Sequence, residues 1–342
     1  MRDYDEQSSS FDEVAALISE ARTIAICAHT SPDGDALGSC LALAEIIRTT
    51  WPGREVVNLL ADEAEIPRIY RFLPGTDALV RPSACTIDPD LFICVDLSGK
   101  ARLADAQAVL ERSAKVAVLD HHPGNESFWD AGLVRPDAAA AGCIICEFAL
   151  HVGCELTPSI AQNLLCAIMT DTGRFQYQNA DSEAFECAAM LVEAGANPSE
   201  VALRVYQSDR LAYMHLEAIV MARVRTFAGG KIAYSYATTA DIENAHVTID
   251  ECEGLVDVVR RVDGAEIAMF LKQVPGGKVR GNLRSKTGHD VAQVARSVGG
   301  GGHVAAAGFT YEGDIDETFA AVMPGLRALV EVPDEAEAAE RS

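Results

Sequence analysis

Acidic and imidazole side chains recur in this sequence at the ends of short apolar segments. Six of them are of types that bind metal ions: His29, Asp33, Asp35, Asp96, His121 and Asp171. Gathered in one crevice, the carboxylates would repel one another, and burial of unpaired charge costs several kcal/mol. Divalent cations remove that cost, and mixed carboxylate and imidazole ligands suit Mn²⁺, with Mg²⁺, Co²⁺ or Fe²⁺ as alternatives. Two metals about 3.5 to 4 Å apart promote hydrolysis of phosphate esters, so we expect that chemistry.

The elements that must position these residues are predicted to be parallel strands followed by helices. Four short apolar runs are suited to burial on both faces of a sheet: Thr23 to Ala28, Glu55 to Leu60, Leu91 to Val95 and Lys115 to Leu119. Three of them end in polar chemistry, and open α/β sheets bind ligands beyond the carboxyl ends of their strands. Helical patterns follow at 139–151, 158–169 and 182–194. A first helix is predicted to begin with a capping box at Ser10 to Glu13.

A lone aspartate at the end of a strand is more often a helix cap than a metal ligand. The joint pattern reverses that preference. The chain has an H-x-x-x-D-x-D loop from His29, a strand-end Asp96, a D-H-H run from Asp120 and a T-D-T-G run around Asp171. Four such motifs are hard to explain together as caps.

Length and charge limit the organisation and the partners of the protein. At 342 residues the chain exceeds the usual size of one core, so we expect two domains. The formal net charge of −23 argues against binding to long nucleic acid. One segment is an exception. Residues Arg260 to Arg296 include eight Lys or Arg and three acidic residues, which gives the segment a net charge of +5.

Neither a membrane span nor a signal peptide is recognisable, so we expect a cytoplasmic protein that does not contact a membrane. Most of the ten cysteines sit in apolar runs, which predicts reduced core residues. Cys143 and Cys146 form a C-x-x-C pair, but no second pair accompanies it, so packing is favoured over metal or redox chemistry.

The second half of the chain predicts a smaller α/β region with an anion site. Its expected elements are strands near 232–237, 266–272 and 278–283 and a helix near 290–298. A loop of four glycines, Gly299 to Gly302, precedes His303, and successive backbone N–H groups in such a loop can cradle a phosphate. Arg284, in the basic segment, can grip a phosphate bidentately. A plain flexible turn is an equally good interpretation of the glycines alone.

As an ordered set, these motifs resemble the DHH phosphoesterases that carry a DHH-associated C-terminal domain, most of all the nanoRNase and pAp-phosphatase type. The matching segments span 29–308 and include Val95-Asp96-Leu-Ser, Asp120-His121-His122, Thr170-Asp171-Thr-Gly, Arg284-Ser285-Lys286 and Gly299 to His303. The resemblance implies an α/β fold: a parallel-sheet DHH domain, and a smaller α/β DHH-associated domain across a cleft.

The resemblance also implies roles for individual residues. One metal would be held by His29, Asp33 and Asp96, and the other by Asp35, Asp96, His121 and Asp171. Asp96 would bridge the two metals, His122 would contact the scissile phosphate or help the leaving group, and Asp120 would support the histidine pair. The far phosphate or base of the substrate would be held by residues of the second domain: Arg284, Ser285, Lys286, Gly300, Gly301, Gly302 and His303.

We therefore expect a DHH domain at 10–197, a helical connection at 198–226, a DHH-associated domain at 227–330 and a disordered acidic tail at 331–342. The expected substrates are short oligoribonucleotides, cut to 5′-mononucleotides, and pAp; linear or cyclic dinucleotides are further candidates. A homodimer is implied by the resemblance alone. The alternatives are a soluble two-metal pyrophosphatase and a nucleotide-binding regulator without catalysis. Two segments depart from the family pattern: Arg174-Phe175-Gln176 and the Ala-rich segment 138–146. These departures concern the preference for one substrate over another.

Overall fold

The computed structural model describes residues 4–123 and 128–330. The chain forms two compact units, and the boundary between them in the sequence lies between Ser208 and Asp209. The predicted acidic tail at 331–342 lies outside the described residues. Both units are α/β, as the sequence predicted. Within the described ranges, no helix is both long and apolar enough to cross a membrane.

The first unit is built on a five-stranded parallel sheet with strand order β2-β1-β3-β4-β5. Its strands are β1 (Thr23–Cys27), β2 (Glu55–Leu59), β3 (Leu91–Val95), β4 (Lys115–Asp120) and β5 (Ala131–Val134). Every residue of β3 is buried, as expected for a central strand covered on both faces. The chain leaves β1 in one direction to form β2 and returns on the other side as β3. The crevice at this reversal is where open α/β sheets bind ligands.

The described residues of the first unit form seven α-helices: α1 (Tyr4–Glu20), α2 (Gly34–Thr50), α3 (Gln107–Leu110), α4 (Ala141–His151), α5 (Pro158–Asp171), α6 (Ser182–Glu193) and α7 (Pro198–Val201). The central part of α5, from Ile160 to Met169, is buried throughout. Its first turn is stabilised by Thr157, whose hydroxyl accepts from the Ile160 N–H, and by Pro158 at the first helical position.

Two predictions about helix limits were wrong. Helix α1 begins at Tyr4, so the expected capping box at Ser10 lies inside the helix. The expected long helical segment at 198–226 is broken after a π-helical stretch at Ala202–Tyr206. The Ser208 hydroxyl donates to the Leu203 carbonyl at 2.6 Å, a local hydrogen bond that competes with helix continuation.

The second unit contains a mixed six-stranded sheet in the order β10-β11-β9-β8-β7-β6, in which only β7 and β8 pair in parallel. Its strands are β6 (Arg225–Phe227), β7 (Ile232–Ala237), β8 (Ile267–Val274), β9 (Lys278–Ser285), β10 (Gly301–His303) and β11 (Ala306–Glu312). Its helices are α8 (Leu211–Ala222), α9 (Thr239–Asn244), α10 (Leu255–Arg260), α11 (Val291–Ser297) and α12 (Ile315–Leu329). Two apolar clusters, one on each face of the sheet, form its core.

The cysteines behave as the sequence predicted. All ten are free, and nine of them are buried, including Cys143 and Cys146 on α4. They contribute to the core as small apolar side chains.

Candidate metal centre

The chemical side chains lie where the strands of the first sheet end. His29 follows β1, Asp96 follows β3, and Asp120 is the last residue of β4, directly before His121 and His122. Two helices complete the set. Asp33 caps α2 and accepts from the Ala36 N–H, Asp35 lies in the first turn of α2, and Asp171 is the last residue of α5.

Close packing of α2 against α5 brings Asp35 and Asp171 to the same place. A Cβ atom at Gly38 would lie 2.3 Å from the Asn163 carbonyl oxygen, and one at Gly34 would lie 2.5 Å from Thr170 Oγ1. Only glycine permits such an approach of two helices. The two helices can therefore deliver carboxylates to one site.

Asp96 joins two groups of potential ligands through its two oxygens. Its Oδ2 lies 3.4 Å from His29 Nε2, which is also 3.9 Å from Asp33 Oδ1. Its Oδ1 lies 3.4 Å from His121 Nε2, which is 3.7 Å from Asp35 Oδ2 and 3.8 Å from Asp171 Oδ2. The trio of His29, Asp33 and Asp96 and the trio of Asp35, Asp96 and His121 are each compact enough to hold one cation, and Asp171 lies beside the second trio. Asp96 itself has a positive φ of 52°, a costly backbone conformation that is common at functional sites.

His122 is held beside the second group by Asp120. The Nδ1 atom of His122 lies 2.8 Å from Asp120 Oδ1, which also accepts from the Leu97 N–H at 3.0 Å. The neighbouring His121 instead directs Nδ1 to the Ala138 carbonyl at 3.2 Å. Asp120 thus orients His122, while a backbone carbonyl orients His121.

Several contacts around the ligands were not anticipated from the sequence. Asp35 accepts from the Ala141 and Gly142 N–H groups at the start of α4, at 2.7 and 2.9 Å, and from Ser39 Oγ at 2.9 Å. Asn179 donates to the carbonyl oxygens of Ala139 and Asp171. Of the residues that make these contacts, only Ser39 could have been found from the sequence, because it lies four residues after Asp35 on a helix.

Two effects set the pKa values of the side chains in the site: burial, which disfavours their charged forms, and the interactions of these side chains with one another. Burial alone would lower the pKa of His29, but its hydrogen bond with Asp96 and the charges of Asp33 and Asp96 raise it to about 9. Burial, together with the charges of Asp33 and Asp96, raises the pKa of Asp171 to about 6, although His121 opposes the shift. Burial would also raise the pKa of Asp96, yet hydrogen bonds from His121 and His29 hold it well below its usual range.

These residues fit divalent cations. Asp35, Asp96 and Asp120 are at most 2% exposed, so their charges are removed from water and need compensation. Oxygen and imidazole donors without thiolates are the ligands that Mn²⁺ and related ions prefer. The six predicted ligands and the two further residues, Asp120 and His122, are therefore brought together in an arrangement able to hold two ions.

In the second unit, the predicted substrate residues divide between the two faces of the sheet. Arg284 and Ser285 are consecutive in β9, so their side chains point to opposite faces, and Ser285 is buried. Lys286 donates to the Val262 carbonyl at 2.7 Å. Lys278, Arg280 and Asn282 lie on the same face of β9 as Arg284. These three polar residues were not predicted as site residues, although strand alternation places them there.

The expected glycine loop is partly a strand. Gly301, Gly302 and His303 form β10, which pairs with β11. A Cβ atom at Gly300 would lie 2.2 Å from the Gly308 carbonyl oxygen, and one at Gly302 would lie 2.5 Å from that of Ala306, whereas Gly301 has open space around it. Close backbone packing accounts for two of these glycines.

Comparison with known proteins agrees with the geometry. The sequence model described as DHH family, N-terminal domain matches residues 23–191, and that of the DHHA1 domain matches residues 229–323. A "Bifunctional oligoribonuclease and PAP phosphatase NrnA" of Thermus thermophilus is 30% identical over 305 residues, which cover 89% of this chain and 89% of that protein. The protein of the same name from Bacillus subtilis is 26% identical over 299 residues, covering 86% and 91% of the two chains.

One solved structure confirms the fold. The crystal structure of an exopolyphosphatase-related protein from Bacteroides fragilis has a TM-score of 0.86 at 20% identity, covering 94% of this chain and 98% of that one. The family match, the full-length relatives and the grouped His and Asp side chains all lead to the same assignment. The chain belongs to the DHH family of phosphoesterases and carries a DHHA1 domain after its DHH domain.

Proposed function

We propose that this protein hydrolyses short oligoribonucleotides to 5′-mononucleotides and removes the 3′-phosphate of pAp, with two divalent ions. This choice of substrates is supported by the similarity to relatives named oligoribonuclease and PAP phosphatase. The observation that carries the proposed chemistry is the position of Asp96, whose two oxygens each face a separate His and Asp group. Linear and cyclic dinucleotides are further candidate substrates.

The proposed ligands follow the two groups. The first ion is held by three side chains: His29, Asp33 and Asp96. The second is held by four: Asp35, Asp96, His121 and Asp171. We favour Mn²⁺, with Mg²⁺, Co²⁺ and Fe²⁺ as alternatives. Once bound, such ions supply Lewis acidity and activate water for attack on phosphorus.

The remaining proposed roles belong to the protein. His122, oriented through Nδ1 by Asp120, contacts the phosphate and delivers a proton to the leaving oxygen. In the second unit, Arg284 binds a substrate phosphate, assisted by the β10 region up to His303 and by Ser285 and Lys286 through their support of β9. The cytoplasmic location remains a prediction from the sequence, and the homodimer remains an implication of the family resemblance.

The proposed activity differs from both alternatives in a single assay. The full chain is incubated with Mn²⁺ and, in parallel, with a labelled dinucleotide, pAp and pyrophosphate. We expect turnover of the dinucleotide and pAp. Turnover of pyrophosphate alone would favour a pyrophosphatase, and binding of the nucleotides without hydrolysis would favour a regulator.

A further inference from the structure

Arg102 lies directly against the metal centre, although nothing in its sequence neighbourhood marked it. It belongs to a 3₁₀ segment, Lys100–Ala106, that follows Asp96 after a short turn. Its carbonyl oxygen accepts from the Thr30 N–H at 2.8 Å. Its Nη2 atom lies 3.1 Å from His29 Nδ1 and 3.4 Å from the Thr30 carbonyl oxygen. Backbone and side chain together fix the guanidinium beside a proposed metal ligand.

Most of the hydrogen-bonding capacity of Arg102 is unused. A guanidinium has five N–H donors in a planar fork. In the described part of the chain, the hydrogen bonds of the Arg102 side chain come from Nη2, and the residue is exposed. Arg112, by contrast, donates from all three nitrogens, to Asp88 and to the carbonyls of Ala108, Cys85 and Ile87. Arg102 therefore presents Nε and Nη1 to a further acceptor.

The charge of Arg102 also lacks a matching carboxylate. Other arginines of the first unit form ion pairs, for example Arg112 with Asp88 at 2.8 Å and Arg71 with Glu65 at 2.9 Å. Among residues 4–123 and 128–330, no carboxylate lies within ion-pair distance of Arg102. A fixed guanidinium at the rim of a phosphoesterase centre, with the N–H donors of Nε and Nη1 open, matches the negatively charged oxygens of a phosphate group.

We propose that Arg102 binds the non-bridging oxygens of the substrate phosphate and stabilises the negative charge that develops on them during hydrolysis. The inference rests on the proposed function. The scissile phosphate of a dinucleotide must lie next to the metals, and Arg102 lies next to His29. The residue would thus be a catalytic residue of the first unit, distinct from the proposed clamp at Arg284.

The test compares Arg102→Ala, Arg102→Lys and, as a matched control, Arg81→Ala. Arg81 is an exposed arginine of the same unit that pairs with Glu65 at 3.4 Å. With a dinucleotide and saturating Mn²⁺, we expect Arg102→Ala to lose about 10²- to 10³-fold in kcat/KM, as for other removed oxyanion donors. We expect Arg102→Lys to recover only part of this loss, because a lysine ammonium is a flexible point charge without the planar set of N–H donors of a guanidinium. We expect Arg81→Ala to match the wild type.

Chemical rescue separates contact with the substrate from support of the metal site. Free guanidinium, at concentrations that leave the protein folded, should restore activity to Arg102→Ala, whose calorimetric affinity for Mn²⁺ should equal that of the wild type. Wild-type kcat/KM in Arg102→Ala would overturn the proposal. So would a loss of Mn²⁺ affinity in step with activity and without rescue, since Arg102 would then only orient His29.

Failure of the proposed function is distinguishable from failure of this inference. If the wild type hydrolyses no dinucleotide, binding of a phosphorothioate dinucleotide is measured instead. Weaker binding by Arg102→Ala than by the wild type and Arg81→Ala would still support the phosphate contact. Equal binding by all three would overturn it.

Discussion

At the scale of single residues, Asp96 is the side chain on which the two-ion proposal depends. Replacing it by Ala should abolish turnover of every substrate, because both groups lose the oxygen they share. The loss should exceed the roughly 10- to 100-fold that is typical when only a supporting residue is removed. Ser39→Ala, which removes a hydrogen bond to Asp35, is the matched control for that smaller effect. Near-normal kcat in a folded Asp96→Ala protein would rule out the shared site.

Metal affinity should rise with pH. Metals bind the deprotonated ligands. At a pH below its pKa of about 9, His29 must therefore release a proton when the metal binds, and Asp171 must do so at a pH below its pKa of about 6. We therefore expect the apparent Kd for Mn²⁺ to fall as pH increases towards 9, most steeply below pH 6, by about tenfold per pH unit for each proton displaced. Calorimetric titration across this range measures the effect. A Kd that is independent of pH would contradict the protonated state of these ligands.

At the scale of secondary-structure elements, the contact between α2 and α5 should be as important for activity as the proposed metal ligands on these two helices. Gly38→Ala places a Cβ atom against the Asn163 carbonyl, so the helices must separate. Overpacking costs about 1 to 3 kcal/mol and should outweigh the gain in helix propensity of about 1 kcal/mol. We expect a lower unfolding midpoint and reduced kcat/KM. Gly325→Ala, on α12 of the other unit, should leave activity unchanged.

The alternation of β9 gives a second prediction at this scale. Arg284→Ala should mainly raise KM, because the side chain is proposed to bind substrate and not to take part in the chemistry. Ser285→Ala should raise KM less than Arg284→Ala, since Ser285 is buried on the opposite face and is proposed to act only through its support of β9. Michaelis constants for a dinucleotide and for pAp measure both. An unchanged KM for Arg284→Ala would contradict the proposed clamp.

Much of this architecture was predictable from the sequence, because buried parallel strands are continuous apolar runs. The limits of β1 to β4 were predicted to within one residue, and β7 to its ends. The short edge strands β5, β6 and β10 were missed, since three or four residues show no clear periodicity. Arg102 was missed for a different reason: its segment has no regular pattern, and its closeness to His29 arises only from the folded chain.

At the scale of the whole molecule, metal binding should stabilise one unit and leave the other unaffected. Binding at a hundred times Kd contributes about 2.7 kcal/mol for one site, which would raise Tm by roughly 5 to 10 °C for a unit of this size. We expect Mn²⁺ to raise the unfolding transition of the first unit in calorimetry and EDTA to lower it. Asp96→Ala should show a much smaller shift. An equal shift in both units would indicate non-specific binding.

The net charge of −23 also acts at this scale. It disfavours long nucleic acid, whose affinity for proteins comes from many basic contacts, and it leaves short substrates to be captured by a few local cations. Arg102 and Arg284 are the proposed cations, one in each unit.

The close contact between α2 and α5 has an evolutionary consequence. Gly38 meets the Asn163 backbone, so no substitution on α5 can make room for a larger residue at 38. Gly34 meets the Thr170 side chain, so a larger residue at 34 requires a smaller one at 170. Substitutions at 34 and 170 should therefore be inherited as pairs among descendants of this gene. The need to keep the metal centre would therefore restrict the substitutions accepted where α2 and α5 touch, although the residues of that contact are not proposed metal ligands.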